Sequence, residues 1–142
     1  MEFKIINKST KEDESFSNDA IASFLELHLG RYGDKKADIL KCIAYVFDKG
    51  GAITLAIDNQ QIIGAVVINE TGMKDYIPEN ILVYIAVHEN QRGKGMGSKL
   101  MEKAIENAKG SIALHVEPDN PAKKLYERLG FTNKYLEMRL KR

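Results

Sequence analysis

The chain has no tryptophan, only three prolines and a single cysteine among its 142 residues. Cys42 alone cannot form an internal disulfide, so a disulfide-stapled scaffold is excluded and a reducing compartment fits. No repeat, proline-rich linker or low-complexity tract offers a boundary at which to divide the chain. No apolar run approaches the roughly 18–20 residues of a membrane span. The start, Met1 to Asn7, is too polar for a secretory leader. An excess of one charge is missing too: 21 Lys and Arg face 20 Asp and Glu, for a net charge of +1. Without a global positive field a nucleic-acid partner is disfavoured. His28, His88 and His115 have no paired spacing and no cysteine close in sequence, so no metal site is expected. A soluble, cytoplasmic protein with no membrane partner is the expectation.

What is present is an ordinary globular mixture, 44% hydrophobic and 29% charged. The length suits one domain over residues 1–142 that buries roughly two-thirds of its unfolded surface. Phe3 to Ile6 predicts a first strand. Ser17, Asn18 and Asp19 offer N-caps to a helix in which Ile21, Phe24, Leu25 and His28 recur until Gly30. Leu40, Ile43, Ala44 and Phe47 mark a second helix that ends at Gly50–Gly51, with Cys42 in its apolar pattern as a small core residue. Ala52 to Ile57 and Ile62 to Ile68 read as antiparallel strands joined at Asp58-Asn59-Gln60. Ile81 to Val87 is apolar without a break, as a strand covered on both faces would be. Leu100, Met101, Ala104, Ile105 and Ala108 predict a third helix, and Ile112, Leu114 and Val116 the next strand. Ala122, Leu125, Tyr126 and Leu129 predict a fourth helix, and Leu136, Met138 and Leu140 a last strand. The expected order is β-α-α-β-β-β-α-β-α-β, a mixed α/β sheet covered by helices.

The stretch from Val87 to Leu100 carries the chemistry. Gly93, Gly95 and Gly97 alternate between a buried strand and an amphipathic helix. The first amides of such a helix lack partners, and its dipole adds partial positive charge there. Glycines let a phosphate come close to the backbone, and Arg92 and Lys94 add cations at the same end. The nucleotide-binding pattern G-x-x-x-x-G-K-[ST] is absent, because Ser98 separates Gly97 from Lys99. The dinucleotide pattern G-x-G-x-x-G fails as well, since the glycines read G-x-G-x-G.

Arg92-x-x-Gly95-x-Gly97 resembles instead the acyl-CoA loop of the GNAT family of N-acetyltransferases, R/Q-x-x-G-x-G/A. Asn120 to Phe131 resembles the family's downstream signature N-x-x-A-x-x-x-Y-x-x-x-G-F, with Asn120 as its asparagine and Ala122, Tyr126, Gly130 and Phe131 after it. The resemblance implies a mixed α/β fold whose fourth and fifth strands splay to hold acetyl-CoA. It also implies direct transfer of the acetyl group to a primary amine.

By the same resemblance, backbone groups of Ile85 and Val87 would pair with the pantetheine arm. Arg92, Gly93, Lys94, Gly95, Met96, Gly97 and Ser98 would hold the pyrophosphate, and Lys94, Lys99 or Lys123 the outer phosphate. Asn120 would face the pantetheine arm, its alternative being an N-cap. Tyr126 would protonate the departing thiolate, its alternative being a core aromatic. The amine adds to the thioester carbonyl, and backbone N–H of the fourth strand stabilises the oxyanion.

An ammonium has no lone pair and titrates near 10.4 as a free alkylamine, so something must take its proton. Some family members carry a Glu inside the fourth strand, and Ile81 to Val87 has none. Glu79, Tyr84, His88, His115 and a bound water all stay open as the base. Two other readings also stay open. One is a CoA-binding sensor or scaffold without turnover. The other is an acetyltransferase of a macromolecule, either a protein N-terminus or a charged tRNA. The acceptor, a small molecule or a peptide amine, should be set by the first two helices, Arg31-Tyr32-Gly33 and the Thr71–Asn80 loop. Edge strands of such a fold can pair two copies, so a homodimer is compatible.

Overall fold

The computed structural model describes residues 1–142. Five strands form one sheet in the order β1-β2-β3-β4-β5, with β1 Glu2–Ile6, β2 Gly51–Asp58, β3 Gln61–Glu70, β4 Asn80–Val87 and β5 Ile112–Leu114. The first three pairings are antiparallel and β4 pairs β5 in parallel. That parallel step needs a crossover, which helix α3, Met96–Asn107, supplies. Helices α1 (Asn18–Leu29) and α2 (Lys36–Asp48) precede β2, and α4 (Ala122–Arg128) follows β5.

Local chemistry accounts for the ends. Ser17 caps α1 by accepting from the amide of Ala20 at 3.1 Å, and Gly30 ends it with φ 61°. The β2–β3 turn at Asn59-Gln60 has positive φ at both residues, 48° and 63°, the geometry that suits the twist of a two-residue hairpin.

Two clusters sandwich the sheet. Ile21, Ala22 and Leu25 of α1 and Ile39, Ile43 and Val46 of α2 pack on one face with Leu55, Val67 and Tyr84. Met96, Leu100, Met101 and Ala104 of α3 pack on the other with Val66, Ile68, Leu82 and Tyr126. The buried stripe of α2 is therefore rotated from the sequence expectation: Ile39 and Val46 are buried and Ala44 is exposed. Leu40 and Phe47 pack at the margin of the same cluster, so the apolar face of α2 is wider than the expected stripe.

The strand expected at Leu136, Met138 and Leu140 is not formed. These side chains are 83%, 90% and 79% exposed, and the order ends at α4. Alternation gives a segment an apolar face, but a strand also needs a hydrogen-bonded neighbour. The free edge on that side, β5, is only three residues long. No helix is long and apolar enough to cross a membrane.

Candidate active site

The site begins where β4 and β5 part. Their pairing stops at Leu82 and Leu114, so β5 ends two residues before the expected Val116. At the same level β4 carries a bulge: Val67 faces Tyr84 and Ile68 faces Leu82, leaving Val83 without a partner on β3. The bulge also changes the phase of the strand. Tyr84 and Ala86 pack with α1 and α2, and Leu82 packs on the opposite face. Beyond it the amide of His88 donates to Ile63 on β3. Backbone groups alternate along a strand, so those of Val87 and Ile85 point away from β3, into the gap left by β5.

The gap leads to the glycine loop. None of the amides from Gly93 to Ser98 donates to another part of the chain. Gly93 and Gly95 have φ of 78° and 77°, and a Cβ on either would meet nothing within 4 Å. Their left-handed backbone is what requires glycine here, and the open space is room for a ligand. Gly97 differs. Its φ is ordinary and a Cβ there would meet Leu125 of α4 at 3.3 Å, so it serves helix packing. Free amides at the start of α3, beside open space, fit the pyrophosphate of an acyl-CoA. Lys94, Lys99 and Lys123 make no ion pair.

Arg92 is engaged elsewhere. Its Nε donates to Val87 O at 3.1 Å and a terminal nitrogen to His28 O at 2.7 Å. The guanidinium ties the loop to β4 and to the last turn of α1, and the Arg92 amide donates to Glu89 O, so neither its charge nor its amide is turned to the loop. His88 braces the same corner, its Nδ1 accepting from Asn90 N and its ring 4.5 Å from that of His28.

Tyr126 is 7% exposed in a cluster bordered by Ile85, Val87, Leu114 and Val116, the walls of the gap. Its hydroxyl makes no hydrogen bond within the chain, yet it is not sealed from solvent. Burial, then the Glu117 charge, pushes it up to about 12, so it keeps its proton at neutral pH. Asn120 stands just before the Pro121 N-cap of α4, its Oδ1 accepting from Ala122 N at 2.9 Å. It stands two residues before Ala122, whereas the family signature places its asparagine three before, a position held here by Asp119. Holding the first amide of α4 is thus the observed role of the Asn120 side-chain carbonyl, and its amide nitrogen makes no hydrogen bond in the chain.

Among the open bases, Glu79 accepts from Ser111 N at 3.3 Å and secures the start of β4 against β5. It lines a cavity of about 540 Å³ with Asn80, Asn107 and Lys109 near the end of α3, away from the loop. His115 is exposed, 4.0 Å from Glu137. Tyr84 is buried and donates to Asp34 at 2.5 Å. Cys42 is partly buried at the margin of the α1–α2 cluster rather than in its core, its thiol donating to Asn69 Oδ1 and pushed up to about 12 by burial.

Sequence reasoning overlooked two aspartates. Asp119 receives Arg31 at 2.7 Å and, through its carbonyl, the Tyr32 hydroxyl at 3.2 Å. Asp34 receives Tyr84. Both are exposed loop residues, and only the approach of distant segments reveals their partners.

Comparison with known proteins agrees with this geometry. Residues 49–133 match the family model described as acetyltransferase (GNAT) domain. N-alpha-acetyltransferase 30 of Schizosaccharomyces pombe is 32% identical over 82 residues, 54% of this chain and 55% of that protein. The chain therefore spans about half the length of this curated relative. Two solved structures share the fold. Ribosomal-protein-alanine N-acetyltransferase of Brucella melitensis biovar Abortus 2308 matches with TM-score 0.65, 16% identity and 99% of both chains covered. Aminoglycoside 6'-N-acetyltransferase of Acinetobacter haemolyticus matches with TM-score 0.67, 18% identity and 100% and 98% covered. With the family model spanning more than half of its length, from the end of α2 through α4, the chain belongs to the GNAT acetyltransferase family.

Proposed function

We propose that the protein transfers an acetyl group from acetyl-CoA to a primary amine. The observation that carries this reading is the open edge of β4. It begins at the Val83 bulge and runs past Ile85 and Val87 into the unpartnered amides of Gly93 to Ser98. Acetyl-CoA would supply the activated acyl thioester. Ile85 offers its main-chain N–H and C=O and Val87 its N–H to an amide-bearing arm, the Val87 carbonyl being held by Arg92, and the α3 N-terminus offers amides and positive potential to phosphate. Lys94, Lys99 and Lys123 are free to meet an outer phosphate. Asn120 keeps one side-chain N–H pair for the arm. Tyr126 holds a proton in a part-dry wall of the gap, ready for a departing thiolate.

The acceptor lies under the α1–α2 link, where Arg31 and Tyr32 bridge to Asp119 across the end of the gap. The resemblance to an N-alpha-acetyltransferase favours an α-amino group, on a peptide or a small molecule, within the primary amines. A cytoplasmic site of action fits the single free cysteine.

An acetyl-CoA thiol-release assay against amino acids, polyamines, aminoglycosides and short peptides tests the reading. Turnover with one amine class is the expected result. Acetyl-CoA binding without turnover across the panel would replace it with a CoA sensor.

A further inference from the structure

The link between α1 and α2 makes two side-chain contacts with other segments. Arg31 and Tyr32 reach across to Asp119, and a short way on Asp34 accepts the hydroxyl proton of Tyr84 at 2.5 Å. Tyr84 is 7% exposed and Asp34 is exposed. A buried hydroxyl on the strand that borders the gap is thus joined by one hydrogen bond to a carboxylate in water. Val83, the bulged residue beside Tyr84, is 38% exposed at the point where the free edge of β4 begins.

We propose that Tyr84 and Asp34 form the route by which the acceptor amine loses its excess proton, with Tyr84 touching the nitrogen and Asp34 acting through it. The proposal rests on the N-acetyltransferase reading above and supplies the base that reading lacks. An N–H bond of the ammonium breaks and its proton goes to Tyr84 Oη. The O–H bond of Tyr84 breaks in the same step and that proton goes to Asp34 Oδ2. The nitrogen keeps the electron pair and uses it to attack the acyl carbon. An ammonium and a carboxylate become a neutral amine and a neutral carboxylic acid, and Asp34 then returns its proton to water. A phenol can do this because its oxygen accepts while its hydrogen is donated.

The surroundings suit a relay rather than a free phenolate. Asp34 from the link and Asp38 and Cys42 from α2 are the titratable groups facing Tyr84. Burial, then these neighbours, pushes its titration far up. Ile21, Ala22 and Leu25 of α1 and Val67 of β3 share its cluster and bring no charge. The α2 cations are paired elsewhere, Lys36 with Asp19 at 2.8 Å and Lys41 with Asp38 at 3.8 Å. Tyr84 therefore stays a neutral phenol at the start and end of the step. Of the other open bases, Glu79 is bound to Ser111 and His115 faces solvent.

The test is a pH–rate profile of the full chain with acetyl-CoA and whichever amine the parent turns over, for Asp34→Asn, Tyr84→Phe and Asp34→Glu. The first two should each lose about 10²-fold in kcat at neutral pH, and the double variant should lose no more, as residues acting in one step do. The pH at which kcat levels off should move upward by about one unit or more, while Asp34→Glu regains most of the rate. Acetyl-CoA stabilisation of each variant should match the parent. If Tyr84→Phe fails to fold, Asp34→Asn on its exposed link decides alone. A parent that turns over and an Asp34→Asn profile that overlays it would overturn the relay and leave the transferase reading standing. A parent that binds acetyl-CoA but acetylates no amine overturns both.

Discussion

Arg92 donates a hydrogen bond to the main-chain carbonyl of His28 at 2.7 Å, joining the glycine loop to the last turn of the first helix. The same guanidinium holds Val87 O, so one side chain fixes three segments around the mouth of the gap. Cationic donors near a helix C-terminus also answer its partial negative charge.

Arg92→Ala should therefore weaken the protein even without ligand. Two charge-assisted bonds at an exposed corner suggest a loss of about 1–2 kcal/mol, discounted for solvent. Urea denaturation of the ligand-free protein measures it. Unchanged stability, with a loss confined to acetyl-CoA binding, would return Arg92 to the role of a phosphate cation.

Gly95→Ala and Gly97→Ala should separate the two uses of glycine. A non-glycine residue at φ 77° costs about 1–2 kcal/mol, and a methyl there enters the space proposed for phosphate. Acetyl-CoA at about a hundred times its Kd should raise the parent's stability by about 2.7 kcal/mol. Gly95→Ala should lose most of that gain, as read by the thermal shift. Gly97→Ala should instead keep most of that gain, because a Cβ there has ordinary helical φ and meets only the flexible end of Leu125. ATP and NAD should stabilise the parent much less than acetyl-CoA does.

Tyr126→Phe removes a hydroxyl that has no partner in the chain and keeps the ring beside Phe131, 5.9 Å away. Melting temperature and acetyl-CoA affinity should stay close to the parent's while turnover falls about 10²-fold. Turnover within a few-fold of the parent would reduce Tyr126 to a core aromatic.

His28 gives the expected pH response. Burial, then the His88 and Arg92 charges, holds its titration below the ordinary value near 6.5. The unfolded chain then binds a proton that the folded one resists. Its contribution is present above about pH 6.5 and is lost as the pH falls through that value toward the lower folded one. His28→Gln should flatten the fall in Tm between about pH 7.5 and 5.5. An equal fall in parent and variant would place the acid sensitivity elsewhere.

The sequence by itself determined the order of elements through α4, because apolar period, caps and glycines are local properties of the chain. It also determined the loop, since the spacing of Arg92, Gly95 and Gly97 is a property of consecutive residues. The tail from Leu136 to Leu140 shows the limit: alternation is written in the chain, but a strand exists only when an edge accepts it. The same limit hid the neighbours of the site. That the Arg92 charge goes to His28, that Asp119 meets Arg31 and that Asp34 meets Tyr84 are contacts between segments far apart in sequence. Tertiary structure alone decided them, because a hydrogen bond depends on a separation near 3 Å in space and leaves no period in the sequence.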